Sequence, residues 1–240
     1  MNPARYMDLM RLAADPQSRS GSVQRFIPKL DFTPPDTVKL SPILDMLNVR
    51  YVVLRGTPPA NVRPAFQSPD YWILTNSSVL PRAFVPRRVE TVIDPRERLN
   101  KLASPGFNPR EVAFIESSAA AGLPKDCRGA VRIVDEIPCR VTLSAQMETP
   151  GLVVLADLWD NGWQARLDGQ PVVIERANHA LRGVVVPAGN HALEFRYAPA
   201  SLLWGWRAAG LGGASLAGLL AFAAWSRKRS TCGPSGSSFY

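Results

Sequence analysis

Residues 151–197 read GLVVLADLWDNGWQARLDGQPVVIERANHALRGVVVPAGNHALEFRY, and the alternation of short apolar runs with turn residues in this stretch decides the fold class. Residues 152–155, 163–167, 171–174, 181–186 and 191–197 are apolar runs of strand length. Asn161-Gly162 and Asp168-Gly169 have the composition of two-residue hairpin turns, and Pro187-Ala188-Gly189-Asn190 makes a longer loop. Trp163, Ala165 and Leu167 alternate with Gln164 and Arg166, and Leu193, Phe195 and Tyr197 alternate with Glu194 and Arg196. Each set places its apolar members on one strand face. With two further strands over 130–134 and 140–147, residues 126–200 are predicted to form an antiparallel β-sandwich of the jelly-roll or carbohydrate-module kind.

Upstream, residues 1–125 read as a mixed α+β region with Pro-rich loops over 14–40 and 55–70. Tyr6, Leu9, Met10 and Ala13 have helical spacing. Ser41-Pro42 supplies an N-cap and a first-turn proline for a short helix that Asn48 closes, and Asp94-Pro95 with Glu97 supplies the same signal for a second. Strands are predicted at 49–54, 71–74, 83–85, 89–93 and 112–115, which makes the whole chain mainly β with some α.

Downstream, Ala208 to Trp225 runs for eighteen residues without a charge, and the apolar stretch extends back to Leu202 with Arg207 as its one interruption. As a helix it is long enough for a bilayer core. Trp204, Trp206 and Trp225 stand at its ends, and Arg227, Lys228 and Arg229 follow, the pattern of a cytoplasmic stop. A single transmembrane helix is therefore expected over 202–225, with a basic flank and disordered cytoplasmic tail over 226–240 and the large domain extracytoplasmic. Gly210, Ala214 and Gly218 form one row of small residues, and Gly213, Ala217 and Ala221 another, which favours packing against other helices. The first thirty residues hold no apolar signal-peptide core, so export of the domain points to a longer polytopic parent whose earlier helices precede this chain.

The composition, 46% apolar and 20% charged, excludes wholesale disorder. The net charge is +8, but four basic residues lie beyond position 200, and no cluster of five or more Lys and Arg with interleaved aromatics supports a nucleic-acid partner. Cys127, Cys139 and Cys232 lack metal-site spacing, and His179 and His191 are the only histidines, so nothing in the sequence points to a metal or other cofactor. Two readings stand for Cys127 and Cys139: a disulfide across a turn-rich stretch, or two unpaired thiols with Cys139 in a strand.

Leu47-Asn48-Val49-Arg50-Tyr51-Val52-Val53 and Leu80-Pro81-Arg82-Ala83-Phe84 resemble segments of the YfhO family of bacterial multi-pass membrane proteins. Phe107-Asn108-Pro109, Leu155-Ala156-Asp157-Leu158-Trp159, Arg176-Ala177-Asn178 and Leu181-Arg182-Gly183-Val184 extend the resemblance in order along the chain. It implies a GT-C-like glycosyltransferase of the bacterial cell membrane, acting on lipid-linked sugars in cell-envelope glycan synthesis. The catalytic acid such a family places in an early extracytoplasmic loop has no counterpart here, so catalytic activity does not carry over.

Candidate binding residues follow from side-chain chemistry. Trp159 beside a turn can stack on a sugar ring while Asp157, Asp160 and Asn161 bond its hydroxyls; Trp163 is either a second such platform or a core residue. Asp157 and Asp160 as a catalytic pair are the weaker reading, because Asp and Asn are ordinary turn formers. Arg176, Asn178, His179 and Arg182 surround a strand connection where they can meet lipid phosphate or the parent's membrane domain. Two functions result: the accessory portion of a polytopic glycosyltransferase, with membrane lipid, the parent's other helices and a lipid-linked sugar or envelope glycan as partners, or a stand-alone membrane-anchored binding module.

Overall fold

Leu152, Val153, Val154 and Leu155 are all fully buried, although successive side chains of a strand point to opposite faces. Such a strand needs cover on both sides, and this need sets the layering of the molecule. The computed structural model describes residues 3–14, 30–33 and 37–230. The tail expected over 231–240 lies outside the described residues, as do the side chains of the basic flank 226–229.

Helix α1 (Pro3–Ala13), strands β1 (Asp31–Thr33) and β2 (Thr37–Lys39), helix α2 (Pro42–Met46), and strands β3 (Tyr51–Arg55), β4 (Phe66–Gln67) and β5 (Tyr71–Asn76) come first. They build a small sheet in the order β1-β2-β5-β3, with β4 also paired to β5. Ser41 caps α2 and Pro42 enters its first turn. Asn48 ends it in the left-handed region at φ +59 and donates from Nδ2 to Leu80 O. Strands β1, β2 and β4 fall in stretches read as irregular from sequence, because two or three residues carry no usable periodicity.

Next come β6 (Ala83–Phe84), β7 (Arg88–Thr91), α3 (Pro95–Ala103) and β8 (Val112–Ile115). The Asp94 carboxylate accepts from Glu97 N at 2.7 Å and starts α3. Strands β7 and β8 are parallel, joined by α3 as a crossover. The remainder is β9 (Gly129–Ile137), β10 (Arg140–Met147), β11 (Gly151–Leu158), β12 (Trp163–Leu167), β13 (Gln170–Val172), β14 (Glu175–Ala177), β15 (Leu181–Val186) and β16 (Gly189–Tyr197).

A five-stranded antiparallel sheet, β13-β12-β16-β10-β9, faces a six-stranded sheet, β6-β11-β15-β14-β8-β7. Between them lies one core, in which Leu143, Val153, Leu155, Val184, Leu193 and Phe195 meet. The other face of the six-stranded sheet, with Leu152, Val154 and Leu181, joins α1, α2, α3 and the small sheet in a second core. The β11 run is continuous because its alternate residues feed two cores. Strands from both sides of residue 126 share the six-stranded sheet, and residues up to Tyr197 form one compact unit.

The sandwich departs from the sequence expectation in three places. It is not wholly antiparallel, since β7 and β8 run parallel in it. Asn161-Gly162 does not close a hairpin: β11 and β12 belong to different sheets, and the turn carries the chain across the core. The run 171–174 is strand only as far as Val172, where β13 ends at the edge of one sheet, and Val173 and Ile174 lead across to β14 in the other. Pro171, without an N–H to donate, sits on that edge strand. Asp168-Gly169 is the two-residue hairpin expected, with φ of +51 and +82 and Leu167 paired to Gln170.

The second unit, from Ala198, contains α4 (Ala200–Ser230), a 31-residue helix. Leu202, Leu211, Leu216, Leu219, Leu220 and its three tryptophans are exposed, and Ser215 Oγ donates back to Leu211 O at 2.9 Å. Among the described residues, no helix is long and apolar enough to cross a membrane. Glycines at 210, 212, 213 and 218 dilute the apolarity of α4, and beyond the helix's own backbone nothing lies within 4 Å of where a Cβ would stand on any of them.

Strand β9 begins at Gly129, where a Cβ would fall 2.9 Å from the backbone oxygen of Gln146 and 2.6 Å from Met147 Sδ. Because backbone cannot yield cheaply, Gly129→Ala should destabilise by about 1–3 kcal/mol in chemical denaturation. Gly122→Ala, in open space, should leave the midpoint unchanged.

Candidate functional site

Asp157, near the end of β11, is held from two sides. Arg82 donates to it through Nε at 2.8 Å and Nη2 at 2.9 Å, a bidentate pair, while Arg182 Nη2 donates to Oδ2 at 2.5 Å. Arg82 also donates to Glu136 at 2.6 Å. Arg182 is 2% exposed, and burial lowers its pKa to about 10 against the pull of Asp157. The hydrogen bond from Arg82 to Asp157 instead raises the Arg82 pKa. The Arg182 guanidinium lies 3.8 Å from the Trp163 ring centre and 5.3 Å from that of Phe195. Three segments distant in sequence, at Leu80 to Phe84, Leu155 to Trp159 and Leu181 to Val184, thus converge on one carboxylate.

A second ion cluster centres on Glu116, just after β8. Arg98 reaches it at 2.9 Å, Arg176 at 2.8 Å, and Arg5 of α1 also donates to it. Burial would raise the Glu116 pKa, but the hydrogen bond from Arg5 and the charges of Arg98 and Arg176 outweigh it and hold the carboxyl below its ordinary range. Burial pushes Arg98 down, and its Nη1 donates to Val92 O at 2.5 Å. The Arg176 guanidinium lies 4.0 Å from the Trp159 ring centre.

The residues predicted for lipid-phosphate contact are therefore placed differently from one another. Arg182 and Asn178 are inside, committed to internal partners. Asn178, at φ +44, accepts from Phe114 N through Oδ1 at 2.8 Å and donates its own N–H to Phe114 O, extending the β8–β14 pairing with a side chain. His179 is buried, 3.4 Å from Asp8 Oδ2 and 3.4 Å from Arg98 Nη2. Arg176 alone of the three predicted contacts reaches the surface in part.

The predicted saccharide set is likewise divided. Asp157 is enclosed by its arginines, and Asp160 is buried, accepting from Gly162 N at 2.9 Å to form the crossing turn. Trp159 and Asn161 line an open cleft of about 410 Å³, joined by Trp163, Gln164, Arg166 and Ile174. Trp159 Nε1 donates to Ile174 O at 3.3 Å, which fixes the indole edge at the cleft wall. Trp163 serves both readings, packing against the sandwich core and lining the cleft. No carboxylate is among the cleft's lining residues. Arg82, Glu116 and Arg98 were not singled out from sequence, where an isolated charge in a strand or helix reads as solvent-facing. Cys127 is buried and Cys139 exposed, both as free thiols.

Comparison of the chain with protein-family models, curated proteins and solved structures returns no match.

Asp157→Asn removes the charge that compensates Arg182 and should cost about 3 kcal/mol or more in chemical denaturation, whereas Glu136→Gln, at the exposed edge of the cluster, should cost less than about 1 kcal/mol. Equal costs would show that the cluster is not centred on Asp157.

The two histidines should titrate apart. The hydrogen bond to Asp168, 2.6 Å from His191 Nδ1, raises His191. Burial lowers His179, with the charges of Arg98 and Arg5 adding to it against the Asp8 hydrogen bond. His191 therefore adds stability that is complete below about pH 6.5 and is lost as pH rises through its folded pKa; His179 subtracts stability as pH falls below about 6.5, because only the unfolded chain then takes the proton. Ring-proton NMR titration should place His191 above and His179 below the ordinary value, with Asp168→Asn returning His191 toward it.

Proposed function

We propose that this chain is the non-catalytic, extracytoplasmic accessory portion of a polytopic bacterial glycosyltransferase of the cell envelope, and that its cleft holds a saccharide. The observation that carries this reading is the cleft itself, in which Trp159 and Trp163 offer aromatic surface beside the amides of Asn161 and Gln164. Each indole is backed by a guanidinium that a carboxylate clamps, so the surfaces are held in place before a ligand arrives. Asp157 and Asp160 have structural duties, which favours binding over acid–base chemistry here.

Helix α4 supports the membrane part of the proposal. It carries Leu211, Leu216, Leu219 and Phe222, each more than half exposed, beside exposed Arg207 and Ser215, and by itself it is not apolar enough to cross a membrane. Its open glycine positions and small-residue rows suit close approach of neighbouring helices. The rows favour an assembled parent over a lone anchored module.

Titration of the detergent-solubilised chain with hexose and N-acetylhexosamine oligosaccharides, followed by NMR, should shift the indole resonances of Trp159 and Trp163. Trp159→Ala should weaken binding roughly three- to tenfold. The chain alone should transfer no sugar from a polyprenyl-phosphate donor. Turnover that Asp160→Asn abolished in a still-folded protein would refute the non-catalytic assignment.

A further inference from the structure

The small sheet has an outer face that nothing in the fold explains. Strands β3 and β5 pair with Val53 opposite Ile73 and Arg55 opposite Tyr71, and β4 places Phe66 opposite Ile73 from the other side. Phe66, Ile73 and Val53 therefore form an apolar row across three strands, flanked by Tyr51 and Tyr71. The inward partners Val52, Leu54, Trp72 and Leu74 already serve the core. The outward ones remain in solvent: Val53 is 61% exposed, Tyr51 57%, Phe66 49% and Tyr71 40%. Phe66 and Tyr71 stack at 5.7 Å between ring centres, which presents their surfaces as one patch. A contiguous apolar patch of this kind marks an interaction site.

The charges around the patch identify its partner. Arg55 stands on the outward face opposite Tyr71, Arg50 and Arg63 are exposed in the segments flanking β3 and β4, and none of the three makes an ion pair among the described residues. Asp70 is the one acidic residue beside them in β3 to β5 and the loops that join them. The face is a sheet surface and not a groove, and it combines tyrosines, which favour the level of lipid headgroups, with arginines free to meet phosphates. We infer that this face, centred on Phe66, Ile73 and Val53, docks on the surface of an anionic lipid bilayer. This surface is separate from the saccharide cleft, and its test does not involve a sugar.

The full chain carrying Cys139→Ser and Cys232→Ser is labelled with an environment-sensitive fluorophore at Val53→Cys, or at Val134→Cys on exposed β9 as a control. It is presented to vesicles of phosphatidylcholine alone or of phosphatidylcholine with phosphatidylglycerol, each with or without lipid-borne spin-label quenchers. The probe at position 53 should shift to the blue and be quenched in the anionic vesicles, with the probe at position 134 unchanged. Arg50→Gln, Arg55→Gln and Arg63→Gln should each weaken this response roughly fivefold, the effect of one basic side chain near an anionic surface. Three results would overturn the inference. One is an unshifted probe at position 53 in vesicles to which the chain is bound, meaning that α4 alone holds it. Another is equal quenching at both positions. The third is a shift without lipid that grows with protein concentration, which would make a second copy of the chain the occupant.

Discussion

The fold depends on the burial of Arg182 beneath Trp163 and on Asp157, which makes that burial tolerable. A guanidinium taken out of water costs several kcal/mol unless its charge is met, and here it is met by one carboxylate shared with Arg82. Arg82 comes from the segment leading into β6, Asp157 from β11 and Arg182 from β15, three neighbouring strands of the six-stranded sheet. Strand β6 is only two residues long and pairs with β11 at Val154 and Leu155, so the salt bridge fastens an element with few backbone hydrogen bonds of its own. Nε and Nη1 of Arg182 find no hydrogen-bond partner; the faces of Trp163 and Phe195 take up the cation instead.

The Glu116 cluster does the same at the other core. It joins α1, α3, β8 and β14 through Arg5, Arg98 and Arg176 around a single acid. Three cations about one anion would be unfavourable in isolation. Burial of Arg98 is offset by the carbonyls of Val92 and Ile93, and Arg176 spreads its charge over Trp159. The two clusters meet at the cleft, since each ends in an arginine lying against one of its tryptophans. The cleft wall is thus set by residues that do not line it, and its shape is coupled to the stability of the sandwich.

Two surfaces are left with apolar area uncovered, the outer face of the small sheet and the length of α4. Both combine apolar or aromatic side chains with arginine, and in neither does an acidic residue pair with those arginines among the described residues. The two surfaces belong to different compact units of the chain, so each can be probed independently of the other.

Local chemistry determined the elements. The Ser41 and Asp94 caps, the Asp168-Gly169 hairpin, the left-handed stop at Asn48 and the strands at 112–115, 140–147, 163–167 and 181–186 follow from side-chain type and period-two alternation, which act over a few residues. The helix over the apolar segment from Leu202 and the place of Trp159 and Asn161 beside the 160–162 turn were legible for the same reason. Tertiary structure alone decided which sheet each strand joins, and so that Asn161-Gly162 crosses the core instead of closing a hairpin. It also decided that Asp157, Asn178 and Arg182 point inward. A charged residue carries no sign in sequence of whether its partner is water or an ion seventy-five positions away, as Arg82 is to Asp157. That pairing depends on the distance between strands, which exists only once the sheets have closed on each other.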